Sequence, residues 1–388
     1  MGNKPTLVFI ASRFPYPLEK GDKLRSYNLI QGLAEQYSIL LIIVSNEPVL
    51  DPWKKKLAPL VSEIHIFRLN RTLMVMRLLM NLFFNAPFQV AYFTERRIVK
   101  KIQHLLRQTK PDHIFCQMLR PAEYVKNYHS CYKTLDYMDA LSVGMQRRSK
   151  TNGFFLRKLY RMEAERLKDY EQRIAHYFEF HTMISEQDAQ FLKSSKDQKI
   201  HIIPNGIDTE YFAPLEHVPK VYDLVFVGNL SYPPNIHAMQ WFCERVLPLN
   251  PSINLLIAGA NPSVKLQSIE KNNTQVTVKG WQDDIRKVYA SGRIFIAPMQ
   301  IGTGLQNKLL EAMAMEIPCI STSLAASALP GNPFIVADEP KDMLNAIMNL
   351  LKDQQESLNR GKKGRKFVLE HYSWKTHVAS LIELIRPS

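Results

Sequence analysis

The sequence predicts two doubly wound α/β domains of similar size, and three observations carry that prediction. The chain has 388 residues with 46% hydrophobic content, about two ordinary globular cores at roughly 150 residues each. Short apolar, strand-like runs alternate with helix-like stretches through both halves, the pattern of βα units around a parallel sheet. A turn-rich join, Pro204-Asn-Gly followed by the proline-bearing Tyr211–Pro219, separates the two series.

In the first series the strands are Thr6–Ser12, Ser38–Ser45, Glu63–Phe67, Asp112–Cys116, Lys133–Asp136 and Phe180–Ile184. Helical stretches at 23–37 and 94–108, and a long charged helix at about 156–176, lie between them. The second series opens with Lys199–Asp208, a strand closed by the Pro-Asn-Gly turn. It continues with strands at Asp223–Val227, Ile253–Ile257, Gln275–Val278, Arg293–Ala297, Ile317–Ser321 and Phe334–Val336. The expected division is 1–200, 201–370 and a C-terminal helix in 371–388. Two such domains facing one another leave a cleft between the carboxyl edges of their sheets, where ligands of open α/β sheets bind.

The four cysteines, Cys116, Cys131, Cys243 and Cys319, are far apart and have no metal-ligand spacing, which excludes a disulfide framework and a zinc ribbon and fits a reduced cytoplasmic compartment. The N-terminus enters a strand at Thr6, too soon for a secretory signal, and no apolar run reaches ~18 residues.

The net charge of +14 is uneven: residues 1–200 carry +13 and residues 201–388 carry +1. Segment 52–111 alone holds 12 basic residues against Glu63 and Glu95. Within it Leu73–Phe84 is almost wholly apolar with a single Arg77, and a basic helix-like run follows at 94–108. Two readings stand side by side. Either 73–84 packs on a sheet with the charges as its solvated side, or the segment lies on an anionic membrane face, each basic residue adding about 1 kcal/mol. No helix-turn-helix, zinc or RNA-binding motif accompanies the charge, so nucleic acid is not the expected partner.

The chemistry concentrates in Ile301-Gly-Thr-Gly-Leu-Gln-Asn-Lys-Leu-Leu-Glu311, which joins the strand Arg293–Ala297 to a helix expected to start near Leu305. Gly302 and Gly304 permit a tight turn, and the amides of Thr303, Gly304, Leu305 and Gln306 at a helix N-terminus form an anion site. Lys308 adds a point charge, and Glu311, one turn on, accepts hydrogen bonds from a vicinal diol. Amides and amine for a diphosphate, with a carboxylate for a ribose, fit a nucleotide. The plainer alternative is a surface i,i+3 salt bridge between Lys308 and Glu311. The P-loop pattern is absent.

Ile203-Pro-Asn-Gly-Ile-Asp208, Phe226-Val-Gly-Asn-Leu230, Val278-Lys-Gly-Trp281, Ile296-Ala-Pro298 and Gly302–Ala314 followed by Ile317-Pro-Cys-Ile320, in this order, resemble the family 4 (group 1) glycosyltransferases. The closing His371-Tyr-Ser-Trp374 and the helix after it resemble that family's tail, which crosses back to the first domain. The resemblance implies the GT-B fold, two facing Rossmann-like domains, and a retaining transfer from a nucleotide-sugar donor. It makes Glu311 the ribose ligand and places the diphosphate on Lys308 and residues 302–307, Asn307 included. Gly228 and Asn229 then follow the second domain's first strand, and Trp281 faces the base.

Two departures from that family are visible. Thr303 stands where the family has a glutamate, and Asn229–Asn235 lacks the usual Arg and Lys. The loop Ser12–Ser26, with Gly21 before a helix, resembles that of sugar transferases tied to exopolysaccharide systems, as does Leu135–Ser142. Arg13, Lys23 and Arg25 are its candidates for the missing charge, and Asp139 for the group near the donor sugar. The alternative for Asp136 and Asp139 is to cap the following helix. The implied catalytic set is Lys308, Glu311, Asp139 and Arg25. No DxD signature is present, so neither metal nor cofactor is expected. The expected partners are a nucleotide-sugar, a glycan or polyprenyl-linked acceptor, and the inner face of the cytoplasmic membrane through 52–111. A GT-B nucleotide-sugar epimerase and a non-catalytic polyanion-binding protein are the competing classes.

Overall fold

The computed structural model describes all residues except 1–3, 19, 82–83, 152–153, 193–198, 302–305, 328, 332 and 387–388. The chain divides into two compact units, one of Met1–Asn205 with His377–Ser388, the other of Gly206–Thr376.

The first unit runs β1 (Thr6–Ala11), α1 (Gly21–Leu33), β2 (Ser38–Ser45), α2 (Asp51–Leu57), β3 (Glu63–Arg68), α3 (Arg71–Met80), α4 (Phe88–Phe93) and α5 (Arg96–Thr109). It continues with β4 (His113–Gln117), α6 (Ala122–Val125), β5 (Tyr132–Asp136), α7 (Leu141–Thr151), α8 (Phe154–Ala175), β6 (Phe180–Met183), α9 (Glu186–Leu192) and β7 (Ile200–Ile202). Among the described residues these strands form a seven-stranded parallel sheet in the order β3-β2-β1-β4-β5-β6-β7. β1, β2 and β4 are nearly continuous apolar runs because helices cover both faces of a parallel sheet. The strand at 200–202 corrects the sequence reading: it pairs with β6 and so ends the first sheet, where the sequence placed it at the head of the second domain.

The second unit runs β8 (Tyr222–Val227), α10 (Pro233–Arg245), β9 (Leu255–Ala258), α11 (Val264–Asn272), β10 (Val276–Lys279), α12 (Ile285–Ser291) and β11 (Gly292–Ala297). Then come α13 (Asn307–Ala314), β12 (Cys319–Ser321), α14 (Ser323–Ala326), β13 (Ile335–Val336), α15 (Pro340–Lys352) and α16 (Gln354–His371), with a last helix, α17 (Trp374–Ile385), spanning the end of this unit and the returning segment of the first. Its sheet order, β10-β9-β8-β11-β12-β13, is again the doubly wound one, all parallel among the described residues. Chain order reverses between β8 and β11, and such a switch point opens a crevice at the strands' carboxyl ends.

Each unit buries its own core. Val8, Ile10, Leu40, Ile42, Ile114 and Leu135 anchor the first, and Leu224, Phe226, Leu256, Ile294, Phe295 and Leu309 the second. In the first unit Gly32 on α1 lies against Val378 of the returning segment, where an added Cβ would meet Val378 Cγ1 at 2.5 Å. In the second, α16 crosses α13 at Gly361, whose added Cβ would lie 2.1 Å from the Glu316 carbonyl oxygen, and at Gly364, which lies against Met313. Arg365 donates to the carbonyls of Ala314 and Phe212, closing the carboxyl end of α13. The helix that carries Lys308 and Glu311 is thus fixed from behind.

Candidate functional site

In the second unit, β8 ends at Val227 and β9 at Ala258, and a glycine follows each. The Gly228 amide donates to the Ala258 carbonyl at 3.1 Å. Gly259 has φ +148°, and a Cβ there would fall 1.8 Å from the Gly228 carbonyl oxygen, so no side chain fits. Gly228 has its own reason to be glycine: an added Cβ would lie 2.7 Å from Nδ2 of Asn235, a buried residue near the start of α10. Asn235 Nδ2 donates to the Asn229 carbonyl at 2.9 Å, which turns its Oδ1 away toward α13. The Asn229 side chain closes its own turn, accepting from the Ser231 amide and hydroxyl.

Lys308, one residue inside α13, reaches across the β8/β11 switch point to that Oδ1. Its Nζ donates to Asn235 Oδ1 at 2.5 Å, lies 3.5 Å from Met299 Sδ and stands 4.7 Å above the Phe226 ring. These partners are an amide oxygen, a thioether and an aromatic face; none is a carboxylate. Burial therefore dominates and pulls the ammonium down to about 8, with Glu311 opposing the shift. The amine keeps its proton at neutral pH, and much of its charge remains available to an incoming anion.

Glu311 sits one turn further along α13, and its Oε2 accepts from the hydroxyl of the fully buried Tyr289 at 2.6 Å. Burial pushes the carboxyl above its ordinary value, while the Tyr289 bond and Lys308 pull it back. Tyr289 is itself wedged against Phe295 and Phe212, with ring centroids 5.5 and 6.2 Å away. The i,i+3 ion pair does not form: Lys308 bonds Asn235, and Glu311 bonds Tyr289. A cation and a carboxylate thus stand apart on one helix face, each held by a neutral neighbour.

Helix α13 starts at Asn307, two residues later than expected, with Gln306 at the cap position and no side-chain cap. It has no acid in its first turn, which suits an anion at its N-terminus. Gly302, Thr303, Gly304 and Leu305 lie outside the described residues. Trp281, on the loop after β10, is 74% exposed, an unusual solvent cost for an indole.

The first unit corrects one sequence expectation and narrows two others. Arg25 is fully buried and committed: its guanidinium pairs with Asp136 through Nε–Oδ2 at 2.8 Å and Nη2–Oδ1 at 2.9 Å. Its Nη1 donates to the Ile203 carbonyl at 2.9 Å and to Asn205 Oδ1 at 3.0 Å. With all three nitrogens bonded and no exposed surface, Arg25 cannot offer charge to a donor; it ties β5 to the segment after β7. Asp136 therefore caps no helix, and its Oδ1 also accepts from Thr182.

Arg13 pairs with Asp22 at 2.6 Å and approaches Glu47 at 3.5 Å, and Lys23 lies 3.7 Å from Glu47, so two acids already offset this loop's charge. Gly21 opens α1 with open space where a Cβ would stand. Asp139 is exposed at the carboxyl edge of β5, after Met138 at φ +63°. The amide and hydroxyl of Ser142 at the start of α7 donate to the buried Glu171, which takes the capping role expected of an aspartate.

Asn235, Tyr289 and Met299 were not singled out from the sequence, and Phe226 stood only as the first residue of a quoted motif. Asn235 carried one signal, standing in the stretch where the expected cations are missing. Among the described residues no cluster of His, Cys, Asp and Glu is arranged to hold a metal ion.

The fold and part of the sequence are shared with known proteins. Residues 221–353, which lie in the second unit, match the family described as Glycosyl transferases group 1. Along nearly its whole length the chain is similar to a 44.6 kDa protein of the cps region of Klebsiella pneumoniae, 21% identical over 97% of this chain and 99% of that one. Among solved structures it superposes on sucrose-phosphate synthase of Thermosynechococcus elongatus, with TM-score 0.65 and 15% identity over 99% of this chain and 98% of the other. It also superposes on Anabaena HepE in complex with UDP and glucose, with TM-score 0.64 and 11% identity over 98% and 99% of the two chains. The fold is GT-B, two parallel-sheet α/β domains.

Proposed function

We propose that the chain is a retaining glycosyltransferase that moves a sugar from a nucleotide-sugar to a glycan or lipid-linked acceptor in cell-surface polysaccharide synthesis. The observation that carries this reading is the separation of Lys308 from Glu311 at the switch point, one held by Asn235 and the other by Tyr289. Lys308 and the first amides of α13 take the diphosphate. Glu311, with one oxygen held by Tyr289, accepts from the ribose diol through the other.

As the sugar–oxygen bond loosens, negative charge grows on the leaving diphosphate. A prepositioned ammonium in a half-buried site meets that charge without reorganising, and this is the largest contribution these residues make to the rate. In this reading protein groups offset that charge, and no metal is called for. Trp281 stacks on the base, which accounts for an indole held in solvent. Asp139, exposed at its strand end, is the first-unit candidate for the sugar side. The UDP bound by Anabaena HepE supports a uridine nucleotide as the first donor to try, and the cps-region relative supports a polysaccharide product. The basic stretch 52–111 supports an acceptor presented at an anionic membrane.

The test is thermal stabilisation by UDP, GDP, ADP and their sugar conjugates, followed by the anomeric configuration of the transferred sugar by NMR. One nucleotide series is expected to stabilise the protein, with the donor's configuration kept in the product. Stabilisation by none at millimolar ligand overturns the reading, and an inverted product overturns its retaining part.

A further inference from the structure

The two helices of the basic segment behave differently. α5 buries Ile98, Ile102 and Leu106 on one face and shows its charges on the other, the ordinary solvated helix. α3 buries only Met74. Val75, Met76, Leu79 and Met80, with the following Phe84, are each half or more exposed. The reading in which this segment packs on a sheet therefore fails for α3, whose apolar residues face solvent in a patch a soluble surface rarely carries.

Beside that face lies a groove of about 960 Å³, walled by α3, α4, α6, α8 and the start of α5. It is lined by the apolar Leu73, Met80 and Phe84 and by five cations, Arg77, Arg96, Arg97, Lys126 and Arg173, against Glu95 and Glu123. The two acids are already paired, Glu95 with Arg77 at 2.9 Å and Glu123 with Lys126 at 2.9 Å. Arg96, Arg97 and Arg173 have no acidic partner among the described residues, and Arg77 Nη1 is buried without a hydrogen-bond partner. Arg96 and Arg97 also open α5, which has no acid in its first turn and no side-chain cap. Two cations at a helix N-terminus oppose the helix dipole, an arrangement an anion relieves.

We propose that this groove and the outer face of α3 dock the protein on a bilayer by seating an anionic phospholipid, its phosphate on Arg96, Arg97 and Arg173 and its chain along Leu73, Met80 and Phe84. The face of α3 enters the apolar boundary layer beside it. Charge complementarity selects the occupant: a neutral lipid satisfies the apolar side chains and leaves the cations unmatched, while a soluble phosphate does the reverse. The inference deepens the membrane side of the function proposed above and rests on it only for biological sense.

The experiment is vesicle co-sedimentation of the full chain with phosphatidylcholine, alone or mixed with phosphatidylglycerol. The variants are Leu79→Glu/Met80→Glu, Arg96→Ala/Arg97→Ala, and the control Lys100→Ala/Lys101→Ala, which removes the same charge from α5 outside the groove. Wild type is expected to bind only the mixed vesicles. The α3 pair should abolish binding, and the arginine pair should weaken it about 30-fold, at ~1 kcal/mol per charge near an anionic surface. The lysine pair should weaken it far less.

Equal binding to phosphatidylcholine overturns the proposal, as does a lysine-pair loss matching the arginine-pair loss, which makes the attraction diffuse. Binding that appears only when polyprenyl phosphate is added to neutral vesicles overturns it in favour of an acceptor-specific site. The UDP-induced thermal shift is read on the same variants. An intact shift with no vesicle binding refutes the docking surface alone, and absence of the shift refutes the donor site instead.

Discussion

Arg25 and Lys308 occupy comparable places, each on the first turns of a helix that follows a switch-point strand, α1 after β1 in one unit and α13 after β11 in the other. Their surroundings make them opposites. Arg25 meets a carboxylate along the edge formed by Nε and Nη2 and oxygens of the segment after β7 through Nη1, with no surface left. Among the described residues Lys308 meets an amide oxygen, a sulfur and a ring. A buried guanidinium neutralised in this way is a strut. A half-buried amine without a carboxylate is a charge held ready, at the cost of a lowered affinity for its proton. Position in the fold does not distinguish the two; the partners do.

The largest effect expected from breaking this comparison is at Arg25. Arg25→Ala leaves Asp136 buried without its counter-charge and strands the acceptors around it, a loss of about 3–5 kcal/mol in stability by denaturant unfolding. If the second unit stays folded, its nucleotide affinity should not change. A large affinity loss with intact stability would make Arg25 a ligand group after all.

Next is Gly361→Val, which forces a side chain into the Glu316 carbonyl and pushes α16 off α13. A loss of about 1–3 kcal/mol is expected, with weaker nucleotide binding, because the helix bearing Lys308 loses its backing. Unchanged thermal stability would contradict that packing.

Tyr289→Phe sharpens the division of labour on α13. Removing the hydroxyl leaves Glu311 without its donor, costs about 1–3 kcal/mol and pushes the carboxyl further up. UDP should bind more weakly while inorganic pyrophosphate binds as before; an equal loss for both would dissolve the assignment of ribose to Glu311.

The pH dependence is smaller and its sign is fixed. A bound diphosphate favours the ammonium, so above about 8, where free Lys308 loses its proton, binding must take one up. Affinity should be level below that point and fall by up to about tenfold per pH unit above it. In Lys308→Arg that fall should vanish, since a guanidinium keeps its proton there. The smallest effect expected is none: EDTA should leave transfer unchanged, and a loss restored by Mg²⁺ would return the diphosphate to a metal.

Much of this was legible in the sequence because it is written locally. The apolar runs became strands, and Lys308 and Glu311 fell on one helix because their spacing requires it. What was illegible depends on distant partners. Arg25 looked like spare charge because Asp136 lies 111 residues away, and nothing near either residue announces the pair. Ile200–Ile202 was assigned to the wrong sheet because a three-residue strand carries no sign of its neighbour. Asn235 looked like an absence of cations, whereas it holds Lys308; only the contact across the switch point reveals that. Met74 alone of the α3 face is buried, and exposure of that kind cannot be read from apolar composition.

The most direct test of the central claim is scanning calorimetry of wild type and Lys308→Ala at neutral pH, with and without UDP or whichever nucleotide stabilises the protein. The prediction is that the variant keeps its unfolding temperature within about a degree or two, since a half-buried amine without a counter-charge adds little to stability. It should also lose the ligand-induced stabilisation of about 2.7 kcal/mol that wild type shows at a hundredfold excess over Kd. A variant that binds the nucleotide like wild type, or that unfolds as Arg25→Ala does, would make Lys308 a second strut and leave the switch point without its anion site.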